Sequence, residues 1–301
     1  MFYRDNWLAW SYDNGPDYGP KLTPMAKCTF IIRNTITQPV KSYYEELLAN
    51  AQRIRDTFTG DLDLLFSGGV DSEVVLRTYH TLGIPINVYI FKYENDYNVI
   101  EFRQAIKICN ELGVTPRIID FNLEKFFEND AYDIWKKVYC AKSGWLPHMK
   151  MTEYLDGTPI IGSGDPYWKK TDNGWMFELD EGAKHWSVYH KTINRDCVAD
   201  WYEYSPEMIV SHTQLPLIQD LINDRIPGKL SSFSSKPVVH KAYWPTVDIR
   251  YKMVGFEGPT PSREKPVPDF MVDFSTQYGK GNVHTSVQLF SEKELMNVLQ
   301  R

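Results

Sequence analysis

Between residues 61 and 120 short apolar runs alternate with longer amphipathic ones, and nothing else in the chain constrains its fold as strongly. Leu62 to Phe66 reads as a strand, Val70 to Leu82 as a helix closed by Gly83, and Ile86 to Phe91 as a strand. A helix from Asn98 to Leu112, ended by Gly113, and a strand from Arg117 to Asp120 follow. Strands separated by helices of this length do not form hairpins. They pair in parallel through right-handed crossovers. The expectation is an α/β fold with a doubly wound, mostly parallel sheet and an irregular C-terminal extension. Ligands of such sheets bind at the carboxyl ends of strands, where the strand order reverses.

The first joint of this pattern carries chemistry. Phe66 runs into Ser67-Gly68-Gly69-Val70-Asp71-Ser72, a glycine turn that opens a helix. Several backbone N–H groups and the positive end of a helix dipole then converge on one spot. Glycines at 68 and 69 let the backbone approach an anion, Ser67 and Ser72 add hydroxyl donors, and Asp71 can hold a magnesium ion bridging phosphate oxygens. The physical reading is a nucleotide phosphate pocket. Its spacing is neither GxxxxGK[ST] nor GxGxxG.

The Ser-Gly-Gly-Val-Asp-Ser run resembles the PP-loop of the N-type ATP pyrophosphatases, and about residues 40 to 255 resemble their asparagine-synthetase-like branch. That resemblance implies a Rossmann-like domain of the adenine nucleotide alpha hydrolase type. It also implies ATP cleaved between its α and β phosphates, with magnesium, an adenylated carboxylate or carbonyl-type oxygen, and an amine that displaces AMP. The nucleotide-binding residues it implies are Phe66, Ser67, Gly68, Gly69, Val70, Asp71 and Ser72. Phe91 and Asp96 join them, at the place where relatives build part of the adenine and ribose pocket.

A second glycine turn, Gly162-Ser163-Gly164-Asp165, ends a further predicted strand from Thr158. It looks like a shortened Ser-Gly-x-Gly-x-Asp-Glu segment of asparagine synthetases, with Pro166-Tyr167-Trp168 in place of the usual continuation. Gly162, Ser163 and Gly164 would then face the nucleotide, and Asp71 and Asp165 would share the metal ion. Between Arg225 and Lys265 eight Lys/Arg stand against three Asp/Glu. Within that stretch Lys241, Arg250 and Lys252 are the candidates to meet departing pyrophosphate, with Lys236 and His240 beside them. Tyr243, Trp244 and Tyr251 lie among these cations, a mixture that also suits a nucleotide or a nucleic acid strand. Two rival readings therefore stay open: a nucleobase- or tRNA-modifying PP-loop enzyme, and an adenine-nucleotide sensor without turnover.

The bulk numbers describe an ordinary globular chain: 301 residues, 43% hydrophobic and 24% charged. A net charge of −6 makes nucleic acid a less expected partner than a small-molecule acceptor and an amine donor. No apolar run approaches the roughly 20 residues of a membrane span, and no signal peptide is read at the N-terminus. Cysteines 28, 109, 140 and 197 form no CxxC pair and read as reduced thiols, so a cytoplasmic protein is expected. About 60 residues before the PP-loop are fewer than a glutaminase module needs, so the expectation is a separate glutaminase chain, or else free ammonia or the amino group of a second substrate as the attacking amine. Three regions are expected: an N-terminal extension (1–38), the PP-loop domain (39–255) and a C-terminal tail (256–301).

Further elements are predicted around this core: a strand at Cys28 to Asn34, and helices at Val40 to Phe58, Asn122 to Val138 and Pro206 to Ile222. Gly174 to Leu179 and His185 to Thr192 read as a hairpin. The prolines between Glu257 and Asp269 read as an extended connection. A short helix from Ser291 is expected, opened by a Ser291/Glu294 capping box.

Overall fold

The computed structural model describes residues 3–4, 7–12, 26–33, 36, 38–163, 166–226, 238–247, 268–279, 281–283 and 286–300. It begins with β1 (Tyr3–Arg4), β2 (Leu8–Tyr12) and β3 (Cys28–Ile32), a three-stranded antiparallel sheet. Helix α1 (Tyr43–Thr57) follows. It starts after Ser42, whose side chain accepts the Glu45 N–H while Glu45 returns the bond, so a capping box sets the start three residues later than the expected Val40.

The expected alternation then unrolls as β4 (Leu62–Leu65), α2 (Val70–Leu82), β5 (Asn87–Tyr93), α3 (Val99–Leu112) and β6 (Arg117–Phe121). The predicted helix over 122–138 is two, α4 (Leu123–Asn129) and α5 (Ala131–Val138), and α6 (Leu146–Thr152) leads into β7 (Thr158–Ile161). The four strands lie in the order β6-β5-β4-β7, every pair parallel, with Leu65 opposite Ile161. The chain moves outward from β4 through β5 to β6, then returns to the other side of β4. The order therefore reverses at the carboxyl end of β4, where both glycine turns emerge.

Alternation along the strands separates two cores. Leu62, Leu64, Phe66, Val88 and Ile90 pack with α1, α2 and α3, while Tyr89, Phe91, Tyr93 and Phe121 pack with α4, α5 and α6. One buried carboxylate interrupts the apolar run of β4. Asp63 is fully satisfied there, accepting from Asn87 Nδ2 at 2.8 Å and from the Gly157 N–H at 2.6 Å.

Beyond β7 the structure corrects two expectations. Strand β9 (Gly174–Asp180) pairs with β8 (Tyr167–Thr171) on one side and β10 (Val287–Phe290) on the other. The segment read as the second arm of the hairpin is instead helix α7 (Glu181–Thr192). His, Trp, Val and Tyr side chains give it a strand-like composition, but packing against α5 and the core buries Trp186, Val188 and Tyr189 together and overrides that local preference. The predicted helix over 206–222 is two, α8 (Pro206–Thr213) and α9 (Pro216–Ile222), because Pro216 cannot continue α8 and starts the next helix instead. The chain ends with α10 (Asp269–Tyr278), β10 and α11 (Glu292–Leu299), the last opened by the expected Ser291/Glu294 box. Residues 257–267 of the proline-rich connection lie outside the described residues, and its last residue, Asp269, is already the start of α10. No helix among the described residues is long and apolar enough to cross a membrane.

Helix α7 also makes the protein sensitive to acid. Burial drives the His185 and His190 imidazoles down from an ordinary 6.5 to about 4. Burial keeps His190 neutral, its Nδ1–H donating to the Trp186 carbonyl at 2.8 Å and its Nε2 3.0 Å from the Thr152 hydroxyl. Unfolding restores the ordinary value, so the unfolded chain binds protons first as pH falls. Each histidine therefore contributes on the order of 3 kcal/mol that is present above pH 6.5 and lost as pH falls through about 4. Urea midpoints should drop between pH 6.5 and 4.5, and less steeply in His190→Gln. Equal slopes in the two proteins would refute this assignment.

Candidate nucleotide site

The site is built where β4 stops. Phe66 is itself core, its ring buried and its N–H donating to the Tyr89 carbonyl at 2.9 Å, so only its main chain reaches the turn. Gly68 has φ +72°, the left-handed region, and a Cβ there would lie 2.8 Å from both Ala105 N and Glu101 O of α3. Conformation and the backbone of α3 together demand glycine at this position. The turn is thus wedged against a helix, a constraint the sequence reading did not supply.

Gly69 stands at the N-cap of α2 and makes no side-chain capping bond to the first turn of the helix. Ser67 Oγ accepts from the Gly69 N–H at 3.3 Å and lies 3.2 Å from Ser72 Oγ, which donates to the Gly69 carbonyl at 3.2 Å. The two hydroxyls close the turn on itself. Val70 and Asp71 are half-buried, and Asp71 belongs to the first turn of α2. A helix start without a capping side chain, two hydroxyls and one carboxylate together have the chemistry of an anion cradle.

The second glycine turn meets the first directly. A Cβ on Gly162 would lie 2.9 Å from Ser72 Cα and 3.1 Å from Ser72 N, so this glycine lets the end of β7 rest on the first turn of α2. Ser163 is committed to structure, since its Oγ donates to the Ala199 carbonyl at 2.6 Å. Gly164 and Asp165 lie outside the described residues, as do Lys236, Arg250 and Lys252. Lys241 is exposed on a helical turn over 238–241. Its neighbour His240 packs 5.9 Å from the Tyr202 ring, and the Tyr202 hydroxyl donates to the Asp71 carbonyl at 2.8 Å.

Phe91 and Asp96 are at the same edge of the sheet. The Phe91 ring points into the core, edge-on to Phe121 at 6.0 Å and Tyr154 at 5.9 Å, and its carbonyl accepts from Asn98 Nδ2 at 2.8 Å. Asp96 is exposed, with φ +56° beside Asn95 at +60°. Two consecutive non-glycine residues in the left-handed region make this loop the most strained backbone beside the turn.

The contribution the sequence reading misses comes from residues 198–203. Val198 bridges β7 in parallel, and the short helical turn Trp201–Glu203 brings Tyr202 against α2. Nothing periodic marks Asp200-Trp201-Tyr202-Glu203, and only the path of the chain beside β7 reveals it. Asp200 is buried, and that burial raises its carboxyl above the usual range while Lys184 opposes the shift. Among the described residues no three His, Cys, Asp or Glu gather as a metal cluster. Magnesium needs only one or two carboxylates when phosphate oxygens complete its shell, and Asp71 fits that role.

Residues 63–142 match the family described as queuosine biosynthesis protein QueC, a stretch running from β4 through α5 that contains the whole Ser67–Ser72 turn. A 7-cyano-7-deazaguanine synthase from Methanocaldococcus jannaschii is 28% identical over 118 residues, 39% of this chain and 47% of that protein. The chain thus spans about half the length of the curated relative it matches. An NMN synthetase structure from Francisella tularensis is 16% identical, with a TM-score of 0.30 over 40% of this chain and 53% of that one. An NH3-dependent NAD synthetase from Campylobacter jejuni is 10% identical, with a TM-score of 0.33 over 80% and 93%. Scores that low carry no argument. The family match and the curated relative support the PP-loop superfamily, and both are named for queuosine and deazaguanine chemistry rather than for asparagine.

Proposed function

We propose that this chain binds ATP on the first turn of α2 and uses it to activate a carboxylate or carbonyl-type oxygen of a nucleobase-like acceptor. One observation carries the reading: the glycine-capped start of α2, with Gly68 closed on α3 and Gly162 closed on Ser72, lies within the stretch matched to a PP-loop family. The acceptor oxygen attacks the α-phosphorus, the bond to the β-phosphate oxygen breaks, and pyrophosphate leaves. A nitrogen nucleophile then displaces AMP and loses a proton. The nitrile in the relative's name has its carbon at the oxidation level of a carboxylic acid, so a deazapurine carboxylate is an acceptor consistent with this route. The same activation would serve asparagine-type amide formation, but the family match favours a heterocyclic acceptor. The nitrogen would come from ammonia, an amine substrate or a separate glutaminase chain.

In this proposal the α2 amides, Ser67 and Ser72 hold the phosphate oxygens, and the wedged turn keeps those donors fixed before the nucleotide arrives. Asp71, with Asp165 as second candidate, would hold magnesium, which supplies charge neutralisation on the phosphates. Lys241, Arg250 and Lys252 remain candidates to meet the leaving group.

The test is pyrophosphate release from ATP and magnesium with a panel of purine and deazapurine carboxylates plus ammonium. Release that depends on one acceptor class is expected. Asp71→Ala should lower it about ten- to a hundredfold, the equivalent of one charge-assisted interaction of about 1.5–3 kcal/mol, with little change in melting temperature. Nucleotide binding without release for any acceptor would instead identify a sensor.

A further inference from the structure

Residues 198–203 are tied down from several directions. The Val198 N–H donates to the Pro159 carbonyl, and the Ile161 N–H donates to the Val198 carbonyl. The Ser163 carbonyl accepts the Tyr202 N–H, and the Ser163 hydroxyl donates to the Ala199 carbonyl. Asn50 of α1 donates to the Trp201 carbonyl at 2.8 Å, and the Trp7 indole donates to the Glu203 carbonyl at 2.6 Å. Beneath this main-chain net lies an ionic group. Lys184 Nζ of α7 is 2.5 Å from Asp200 Oδ2 and 3.5 Å from Glu203 Oε2, with all three side chains 2–8% exposed. The Trp10 ring of the N-terminal sheet covers the ammonium at 5.8 Å.

A segment that only filled space would use apolar side chains, which stabilise a core at least as well as a buried ion pair does. Buried charges instead enforce one geometry, and here that geometry ends in the Tyr202 hydroxyl on the Asp71 carbonyl. That carbonyl already serves the α2 helix, so the tyrosine adds a tie that helix formation does not need.

We infer that Lys184, Asp200 and Glu203 are positioning residues, a buried ionic latch that holds Tyr202 against Asp71 and fixes the first turn of α2 for phosphate and magnesium. The inference rests on that turn being the nucleotide site. The N-terminal sheet, through Trp7 and Trp10, is then part of the latch, keeping water from the ion group.

The decisive variant is Tyr202→Phe, which removes one hydroxyl and keeps the ring. Two measurements are made: amide hydrogen exchange over residues 70–75, and calorimetric binding of α,β-methylene-ATP with magnesium and with EDTA. The latch predicts about tenfold faster exchange in that turn and an about fivefold smaller magnesium-dependent gain in affinity. The melting temperature should stay within about 2 °C. Asp200→Asn, similar in shape and uncharged, should move exchange and affinity the same way. Unchanged exchange over 70–75 in Tyr202→Phe overturns the latch, as does a magnesium gain equal to wild type. If the wild type binds no analogue, the nucleotide reading fails, and the exchange comparison still decides the tie between Tyr202 and α2.

Discussion

Gly68→Ala is expected to remove roughly 2–5 kcal/mol of stability and to abolish nucleotide binding. Two independent terms act on the new methyl group. At φ +72° it forces a left-handed conformation that costs an L-residue about 1–2 kcal/mol. It also lands 2.8 Å from Ala105 N and Glu101 O, main-chain atoms of α3 that cannot rotate away, an overpacking cost of about 1–3 kcal/mol. Gly83→Ala separates the terms, because Gly83 has φ +64° with nothing within 4 Å of its Cβ position. Urea unfolding of both variants should show Gly83→Ala losing only the conformational share. Equal losses would mean that α3 yields to the methyl, and the account of a wedged turn would be wrong.

Lys184→Met is expected to cost about 3–5 kcal/mol, the usual result of stripping the cation from a buried ion group. Methionine fills the space of the lysine stem, but buried Asp200 and Glu203 lose the ammonium that meets both. Burial already raises the Asp200 carboxyl above its ordinary value, and removing Lys184, which opposes that rise, lifts it further. A raised carboxyl pKa contributes stability at low pH that is lost as pH rises through the folded value. The variant's deficit should therefore shrink as pH is lowered from 7 to 5, against the direction that His185 and His190 impose on wild type. Combining Lys184→Met with Asp200→Asn and Glu203→Gln should recover much of the loss. Denaturant midpoints at several pH values check both claims. A Lys184→Met protein within about 1 kcal/mol of wild type at pH 7 would contradict the burial argument.

Those two variants fall on opposite sides of what can be read without coordinates. Gly68 belongs to a run whose strand, turn and helix are contiguous in sequence, so its place at a strand-to-helix joint is legible from local pattern. Its contact with Ala105 is not, because α3 folds back on the turn only once β5 has paired with β4. The hairpin expected over 174–192 shows the same boundary. Composition favours a strand at His185 to Thr192, and burial of Trp186 and Tyr189 against α5 decides for helix. Phe91 is legible as the end of a strand at the right edge, but which way its ring points depends on register, and the ring faces the core.

Local chemistry alone thus determines the parallel α/β order, the caps at Gly83, Gly113 and Ser291, and the glycine turn at Ser67 to Ser72. Hydrogen-bonding capacity, glycine conformation and periodicity act over a few residues, so neighbours in sequence suffice to specify them. Tertiary structure alone decides that Gly162 closes on Ser72, that residues 198–203 extend the site beside β7, and that Lys184 meets Asp200 and Glu203 beneath Tyr202. Those contacts join segments with no shared period, and they form because the sheet brings the carboxyl ends of β4 and β7 side by side.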